Sequence, residues 1–446
     1  MNEKEYTLIT SIGTGTGKAG YKNIVYHFPK YKTYKTSLFL EAIIKTKYRP
    51  IKKVILIGTT SSSWDALIPN PDSDEDMKFW DRIVNKCREN AFSDESKKEF
   101  ESKLSEWYEN IKFEISIHTN ELIEENVNAV FDKYMEIPDL LEPETNILFD
   151  ITHGFRSMPL LIFQSLQLNS SKIEDREVEL IYAELIYTED KAIAHNLSEY
   201  WNYYEINSAK KQFDEKWNGK ILAEKIRQEG WESGAKFLER FSEIVECNFS
   251  LQLPINKWES NASGGEALKQ LKNALDDYNE TGKPKWVTEV RDNLNDIYKF
   301  LKPKDNENYP VANAVWKYSQ LLREKKLITQ AVIALQVVVE TAIAEKYDPS
   351  KIGDYDWFHG YFDANISKRI EGIGEKKLKE IRKKNNKMSS SLGQLERRRH
   401  QIAHGGGKDK NGNYPHQANI PGILKQADYA INELFTALDK ENIGNA

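Results

Sequence analysis

The sequence predicts an α/β domain built on a mostly parallel sheet, followed by an all-α domain. Three observations lead there. Strand-like and helix-like segments alternate as far as residue 187. From Glu199 onward the patterns are helical only. The most apolar stretch of the chain, Leu327 to Ile343, lies in that second part and is apolar on more than one face, as a central bundle helix would be. A length of 446 residues gives room for two or three domains with real cores. The boundaries read as 1–198 and 199–446.

In the first part, Tyr6 to Ile12 reads as a strand, and a glycine-rich turn follows, Gly13-Thr14-Gly15-Thr16-Gly17-Lys18-Ala19-Gly20. Gly15, Gly17 and Gly20 match a dinucleotide fingerprint on paper. That fingerprint needs a helix next, whose N-terminus holds the pyrophosphate. Tyr21 to Phe28 instead alternates like a strand. A Walker A loop needs Gly where Ile12 stands and Ser or Thr where Ala19 stands. The turn is therefore either a flexible connection or a ligand loop lined by backbone. A helix is expected over Thr36–Lys47 and a strand over Val54–Ile57, ending in Gly58-Thr59-Thr60-Ser61-Ser62-Ser63-Trp64. Residues 65–110 read as charged helix anchored by Trp80, Phe100 and Trp107. A third strand falls at Phe113–Ile117, a helix at Glu121–Tyr134, and a fourth strand at Ile147–Ile151. Thr152-His153-Gly154-Phe155-Arg156-Ser157 comes next, then a helix over Leu160–Leu168 and a last strand over Val178–Tyr187.

Ligands of such sheets sit at the carboxyl ends of the strands. The loops at 13–20, 58–64 and 152–157 occupy those ends and are rich in Gly, Thr and Ser. Their hydroxyls and N–H groups suit phosphates and base edges, a chemistry of recognition rather than catalysis. The alternative for Asp150 is a strand-end carboxylate that caps the following turn.

In the second part, Trp201, Tyr203, Tyr204, Phe213 and Trp217 read as core rather than as a stacking surface. Lys368 to Lys387 is strongly basic, either a solvated face or a local RNA-guiding patch. The run Gln394-Leu395-Glu396-Arg397-Arg398-Arg399-His400-Gln401-Ile402-Ala403-His404-Gly405 reads as the last turns of a helix. Ser389, Ser390 or Ser391 would cap its start, and Gly405 would stop it. Leu392, Leu395, Ile402 and Ala403 form an apolar stripe into which Arg399 falls. A guanidinium there needs an anionic partner or an interface that supplies one, and Glu340 or Gln330 of the apolar helix could pair with it. One cation that keeps its proton and one histidine that can pass a proton suit phosphoester chemistry on RNA. At about 100° per residue, Arg399 and His404 stand roughly 140° apart on a regular helix. To act together they need an unwound helix end or a second chain, and a two-fold dimer along this helix would bring two copies of the pair together.

Composition sets the remaining bounds. With 39% hydrophobic and 30% charged residues, the chain is an ordinary folded one. No signal-peptide pattern and no long membrane-type run is expected, which points to the cytoplasm. Cys87 and Cys247 alone support neither a disulfide framework nor a zinc site. The net charge of -6 means that any nucleic-acid contact is local.

Arg399-His400-Gln401-Ile402-Ala403-His404 resembles the Arg-x4-His motif of HEPN-domain ribonucleases. The first-strand loop and Phe149-Asp150-Ile151-Thr152-His153-Gly154-Phe155-Arg156-Ser157 resemble the CARF sensor domain of CRISPR-associated proteins, in the branch of type III accessory ribonucleases. The resemblance implies a Rossmann-like sensor for a cyclic oligoadenylate, preferably cyclic tetra-adenylate with cyclic hexa-adenylate as second choice. It also implies a homodimer or higher oligomer with a composite, metal-independent site that cuts single-stranded RNA. Carried onto this sequence, the catalytic set is Arg399, His404 and His400. The ligand set is Gly13, Thr14, Gly15, Thr16, Thr59, Thr60, Thr152, His153, Gly154 and Arg156. The rival readings are a ligand-responsive transcription regulator and a ring nuclease that degrades its own activator.

Overall fold

The computed structural model describes residues 4–14, 21–28, 33–68, 73–89, 94–108, 111–118, 127–154, 157–186, 188–254, 267–304, 307–363, 368–403 and 420–443. The chain divides into two compact units, Met1–Tyr204 and Glu205–Ala446.

The first unit holds strands β1 (Tyr6–Ser11), β2 (Ile24–His27), β3 (Thr33–Thr36), β4 (Ile51–Thr59), β5 (Lys112–His118), β6 (Asn146–Asp150), β7 (Val178–Ile186) and β8 (Lys191–Asn196). They form one sheet in the order β3-β2-β8-β7-β6-β1-β4-β5. The neighbours β7-β6-β1-β4-β5 all run parallel, as do β2 and β8, whereas β2-β3 and β7-β8 are antiparallel. Helices α1 (Phe39–Thr46), α2 (Asp74–Arg88), α3 (Asp94–Trp107), α4 (Val127–Met135), α5 (Ser157–Leu168) and α6 (Ser170–Ile173) connect them.

Both faces of the sheet are buried, and alternate residues of one strand go to opposite cores. Leu8, Val54 and Leu56 pack with Phe39, Phe79 and Phe100 of α1 to α3. Ile9, Ile55 and Ile57 pack with Val130, Tyr134 and Ile162 of α4 and α5. The expected mostly parallel sheet with helices on both faces is what forms.

Three boundary expectations are corrected. The helix anticipated from Thr36 begins at Phe39, because Thr33–Thr36 pairs with β2 as a hairpin. Val178–Tyr187 is not the last strand. A turn with Asp190 at φ 49° reverses the chain, and β8 returns along β7. The third correction concerns the apolar helix of the second unit, described next.

Helix α7 (Glu199–Lys216) begins in the first unit and runs into the second, which continues with α8 (Lys220–Gln228), α9 (Glu232–Cys247), α10 (Ala267–Asp276), α11 (Lys285–Leu301), α12 (Pro310–Glu324), α13 (Ile328–Tyr347) and α14 (Tyr355–His359). After these come β9 (Gly360–Asp363), β10 (Lys368–Glu371), α15 (Ile373–Lys383), α16 (Asn386–Ala403) and α17 (Ile420–Ile443). α13 has the length and hydropathy of a membrane span, contrary to the expectation that no such run exists. Its apolar residues, among them Ala331, Leu335, Val338 and Ile343, belong instead to the core shared with α12, α16 and α17. Of the aromatic stripe read as core, Phe213 and Trp217 are buried in this core and Trp201 in a core of the first unit, whereas Tyr203 is exposed, which corrects the reading at that position.

Candidate functional site

The parallel strands β6, β1 and β4 end side by side, so the loops after Ser11, Thr59 and Asp150 meet at one edge of the sheet. Asp150 is fully buried. Its Oδ2 accepts from Thr10 Oγ1 at 2.7 Å and its Oδ1 from Thr152 N at 2.8 Å. The capping alternative for this carboxylate is therefore the geometry observed. Thr152 Oγ1 accepts from Ala183 N at 2.9 Å, which ties the loop to β7.

His153 is built into the fold as well. Phe39 N, at the start of α1, donates to His153 Nε2 at 3.1 Å, and Tyr26 Oη stands 3.5 Å from the same nitrogen. Burial lowers the pKa of this ring, against the opposing pull of Asp150. A neutral imidazole with Nε2 as acceptor leaves its second nitrogen, Nδ1, carrying the proton. The Tyr21 ring packs edge-on against it at 5.1 Å. Gly13 N donates to Tyr21 Oη at 2.9 Å, so the first loop is held by the same tyrosine. Ser11 Oγ donates to the His153 carbonyl. Gly154 lies beside it at φ +98°, where a Cβ would stand 2.3 Å from Ser11 Oγ. Only glycine fits that approach.

In the β4 loop, Thr59 is fully buried and spends its N–H on Ser62 Oγ at 2.8 Å. Ser62 Oγ in turn donates to Ile12 O at 2.8 Å, and Ser63 N donates to Gly13 O at 2.9 Å. These bonds lock the first two loops together. Thr14 is exposed, and Thr60, Thr152, His153 and Gly154 are partly exposed along the same edge. Gly15, Thr16 and Arg156 lie outside the described residues. Ser11, Tyr21, Tyr26 and Phe39 were missed by sequence reading, because their roles arise from packing between distant segments.

In the second unit, α16 starts at Asn386, three residues before the expected serines. Asn385 Oδ1 accepts from Met388 N at 3.0 Å and serves as the N-cap. Leu392 and Leu395 are buried as expected. The arginine that continues their stripe is Arg398, only 9% exposed, with an Nε that has no hydrogen-bond partner among the described residues. Arg399 is half-buried and lines a cavity of about 300 Å³ with Gln336, Phe358, His359, Arg369, Glu375, Leu378, Lys379, Arg382 and Glu396. Glu340 is not its partner. It accepts from Gln336 Nε2 at 3.1 Å and stands 3.1 Å from His359 Nε2. Arg382 makes a two-pronged pair with Glu396, at 2.6 and 3.3 Å. Lys379 pairs with Glu371 and with Glu375, the latter at 3.1 Å. His400 is exposed, and His404 lies outside the described residues. Lys379 and Arg382 belonged to the basic stretch noted in the sequence. Arg369 also falls within that stretch, whereas His359 carried no signal in the sequence.

Residues 7–186 match the family described as CRISPR system endoribonuclease Csx1, CARF domain. The N-terminal unit thus has the CARF fold. Its matched segment contains every described candidate ligand residue from Gly13 to Gly154. The CRISPR-associated protein MJ1674 of Methanocaldococcus jannaschii is 22% identical over 411 residues. That alignment takes in 84% of this chain, and the chain spans 61% of the relative's length. Among solved structures, Enterococcus italicus Csm6 bound to cyclic hexa-2'-fluoro-hexa-dAMP aligns with a TM-score of 0.37 at 12% identity. It covers 98% of this chain and 95% of that one. Among the described residues, no group of three or more His, Cys, Asp or Glu side chains is arranged to hold a metal ion.

Proposed function

We propose that the chain is a cyclic-oligoadenylate-activated, metal-independent endoribonuclease. Residues 1–198 act as the sensor, and the helical region 199–446 ends in a HEPN-type nuclease domain. The observation that carries this reading is the pairing of a CARF-matching unit with an Arg399-x4-His404 sequence whose arginine lines a cation-rich cavity.

In the proposed reaction, the ribose 2'-hydroxyl attacks the adjacent phosphorus. The new O2'–P bond forms as the P–O5' bond breaks, and the hydroxyl proton is lost while the leaving O5' gains one. His404 serves in that proton transfer, His400 orients or assists, and Arg399 holds the charged phosphate. The products carry a 2',3'-cyclic phosphate and a 5'-hydroxyl. A homodimer would supply two copies of the pair to a composite site, which answers the 140° separation on a regular helix. Cyclic tetra-adenylate is the preferred activator. An even-numbered ring has two-fold symmetry and could be gripped across a dimer axis by the same loops used twice.

The deciding experiment is cleavage of a fluorogenic single-stranded RNA with cyclic tetra-adenylate or cyclic hexa-adenylate added separately, in EDTA. Cleavage should require one of the rings and survive chelation. Arg399→Ala and His404→Ala should each abolish it while activator binding persists. Wild-type-like cleavage by either variant refutes the assignment, and a need for added Mg²⁺ or Mn²⁺ refutes its metal independence.

A further inference from the structure

The two-stranded sheet beside the Arg399 cavity presents an apolar surface that the proposed chemistry does not yet use. β9 and β10 are antiparallel, with Phe362 opposite Arg369 and Tyr361 opposite Ile370. Directly opposed residues share a face, and neighbours along a strand alternate. Phe362 and Arg369 therefore point to one side, and Tyr361 and Ile370 to the other. Phe362 is 67% exposed, a large aromatic ring left in water. Its face-mate Arg369 lines the cavity that contains Arg399. The Arg369 guanidinium is steadied by donating to the His359 carbonyl at 3.0 Å.

The two strands of the hairpin lie tightly together where it begins. Gly360 sits at φ +81°, and a Cβ there would stand 1.9 Å from the Ile370 carbonyl oxygen. The strand start is thus pressed onto β10 with no room for a side chain. The cavity lining carries more cations than carboxylates, and Arg399 is the arginine among them with no carboxylate partner among the described residues. Arg369, Lys379, Arg382 and Arg399 face two carboxylates, Glu375 and Glu396.

We propose that this hairpin is a base-stacking platform that leads single-stranded RNA into the Arg399 cavity. Phe362 stacks an unpaired base, and Arg369 holds the neighbouring phosphate. The proposal rests on the reading of Arg399 as the phosphate-holding arginine. An exposed ring beside a line of cations is how sequence-tolerant single-strand sites are built: the base finds a π-face and the backbone finds charge. A duplex keeps its bases stacked inside and gains nothing from the ring. A second copy of this chain is the poorer occupant. An isologous contact through β10 centred between Lys368 and Arg369 would set each against the other's copy, bringing like charges together.

The test uses the full chain and a fluorescent 2'-O-methyl single-stranded RNA, which lacks the attacking hydroxyl. Binding is followed by anisotropy over a range of salt. Phe362→Ala should weaken binding about 5- to 100-fold. Phe362→Trp should retain it, and Tyr361→Ala, on the opposite face, should leave it within about two-fold of wild type. Arg369→Gln should flatten the slope of log K against log salt by about 0.7. A labelled RNA duplex should bind Phe362→Ala and wild type alike. Wild-type affinity for the single strand in Phe362→Ala overturns the proposal. So does a Phe362→Trp variant that binds as poorly as the alanine variant while melting like wild type. A fall in sedimenting mass of Phe362→Ala without RNA would assign the face to a second copy instead. The nuclease reading is judged separately by cleavage in Arg399→Ala. Cleavage there removes that reading even where Phe362 governs RNA binding.

Discussion

Replacing Gly154 by alanine tests whether the sensor edge is assembled by the close approach of two loops. Gly154 has φ +98°, which L side chains rarely adopt, and placing alanine there costs about 1–2 kcal/mol. The new Cβ would also stand 2.3 Å from Ser11 Oγ and 2.8 Å from Ser11 Cβ. Ser11 Oγ cannot swing away freely, because it donates to the His153 carbonyl, and losing that bond costs about 1 kcal/mol. Gly154→Ala should therefore destabilise the N-terminal unit by about 2–4 kcal/mol. The loss should appear as faster hydrogen exchange in β1 and β6 and as an earlier first transition in urea.

The structure also predicts which part of that loss can be recovered. Ser11→Gly removes both clashing atoms but leaves the backbone strain. In the Gly154→Ala background it should return about 1–2 kcal/mol, whereas in the wild-type background it should only destabilise. That sign change is a coupling of the kind seen between residues in contact. Because His153 and Thr152 precede Gly154 in the same loop, the single variant should also raise the concentration of cyclic oligoadenylate needed for half-maximal cleavage at least ten-fold. A Gly154→Ala protein within about 0.5 kcal/mol of wild type refutes the argument. Strictly additive Ser11 and Gly154 effects do the same.

Two further outcomes are expected. Thr152→Ala loses the acceptor for Ala183 N. The N-terminal unit should lose about 1 kcal/mol or somewhat more in urea unfolding, and because the freed loop belongs to the proposed ligand edge, the activation midpoint should rise with an unchanged maximal rate; an activation curve superposable on wild type would count against the loop. His118, at the end of β5, is 4% exposed and stacks on Tyr134 at 4.1 Å, and burial pushes its pKa down from 6.5 to about 4. Between those values the unfolded chain binds the proton and the folded chain does not, so stability is full above pH 6.5 and falls as pH drops toward 4. Wild type should lose about 2–3 kcal/mol more than His118→Gln between pH 7 and pH 4.5 in urea unfolding, and equal losses would exclude His118 as the cause.

The strands of the first unit were legible because both-sided burial writes itself as apolar runs, such as Val54-Ile55-Leu56-Ile57. The edge carrying the polar loops followed from the order of those runs. Short polar strands were not legible. Thr33–Thr36 and Lys191–Asn196 are held by their pairing partners and have little apolar pattern of their own. His153 was recognisable as a site residue, but not as the acceptor for Phe39 N, because the two lie 114 positions apart. In α16 the three consecutive arginines hid their own order. Each step turns the side chain by about 100°, so Arg397, Arg398 and Arg399 face solvent, core and cavity margin respectively. An apolar stripe built from Leu392 and Leu395 admits either Arg398 or Arg399 as its next member. Only the packing of α16 against α13, α15 and α17 decides that the first is buried.

That division of labour bears on the proposed chemistry. The cavity's other cations are already answered: Arg382 by Glu396 at 2.6 Å, Lys379 by Glu371 and Glu375, and Arg369 by Glu375 at 3.7 Å. Among the described residues, Arg399 is the cavity arginine with no carboxylate partner. A phosphate entering there need not displace a carboxylate to reach its guanidinium, whereas at Arg382 it would have to break a two-pronged pair first. The paired cations still contribute field, and their carboxylates keep them from competing for the same phosphate. In the proposed reaction, Arg399 is therefore the position where a substrate's negative charge gains most. This is the physical reason for assigning the phosphate to Arg399, and not to the more buried Arg398 or to the more numerous lysines of α15.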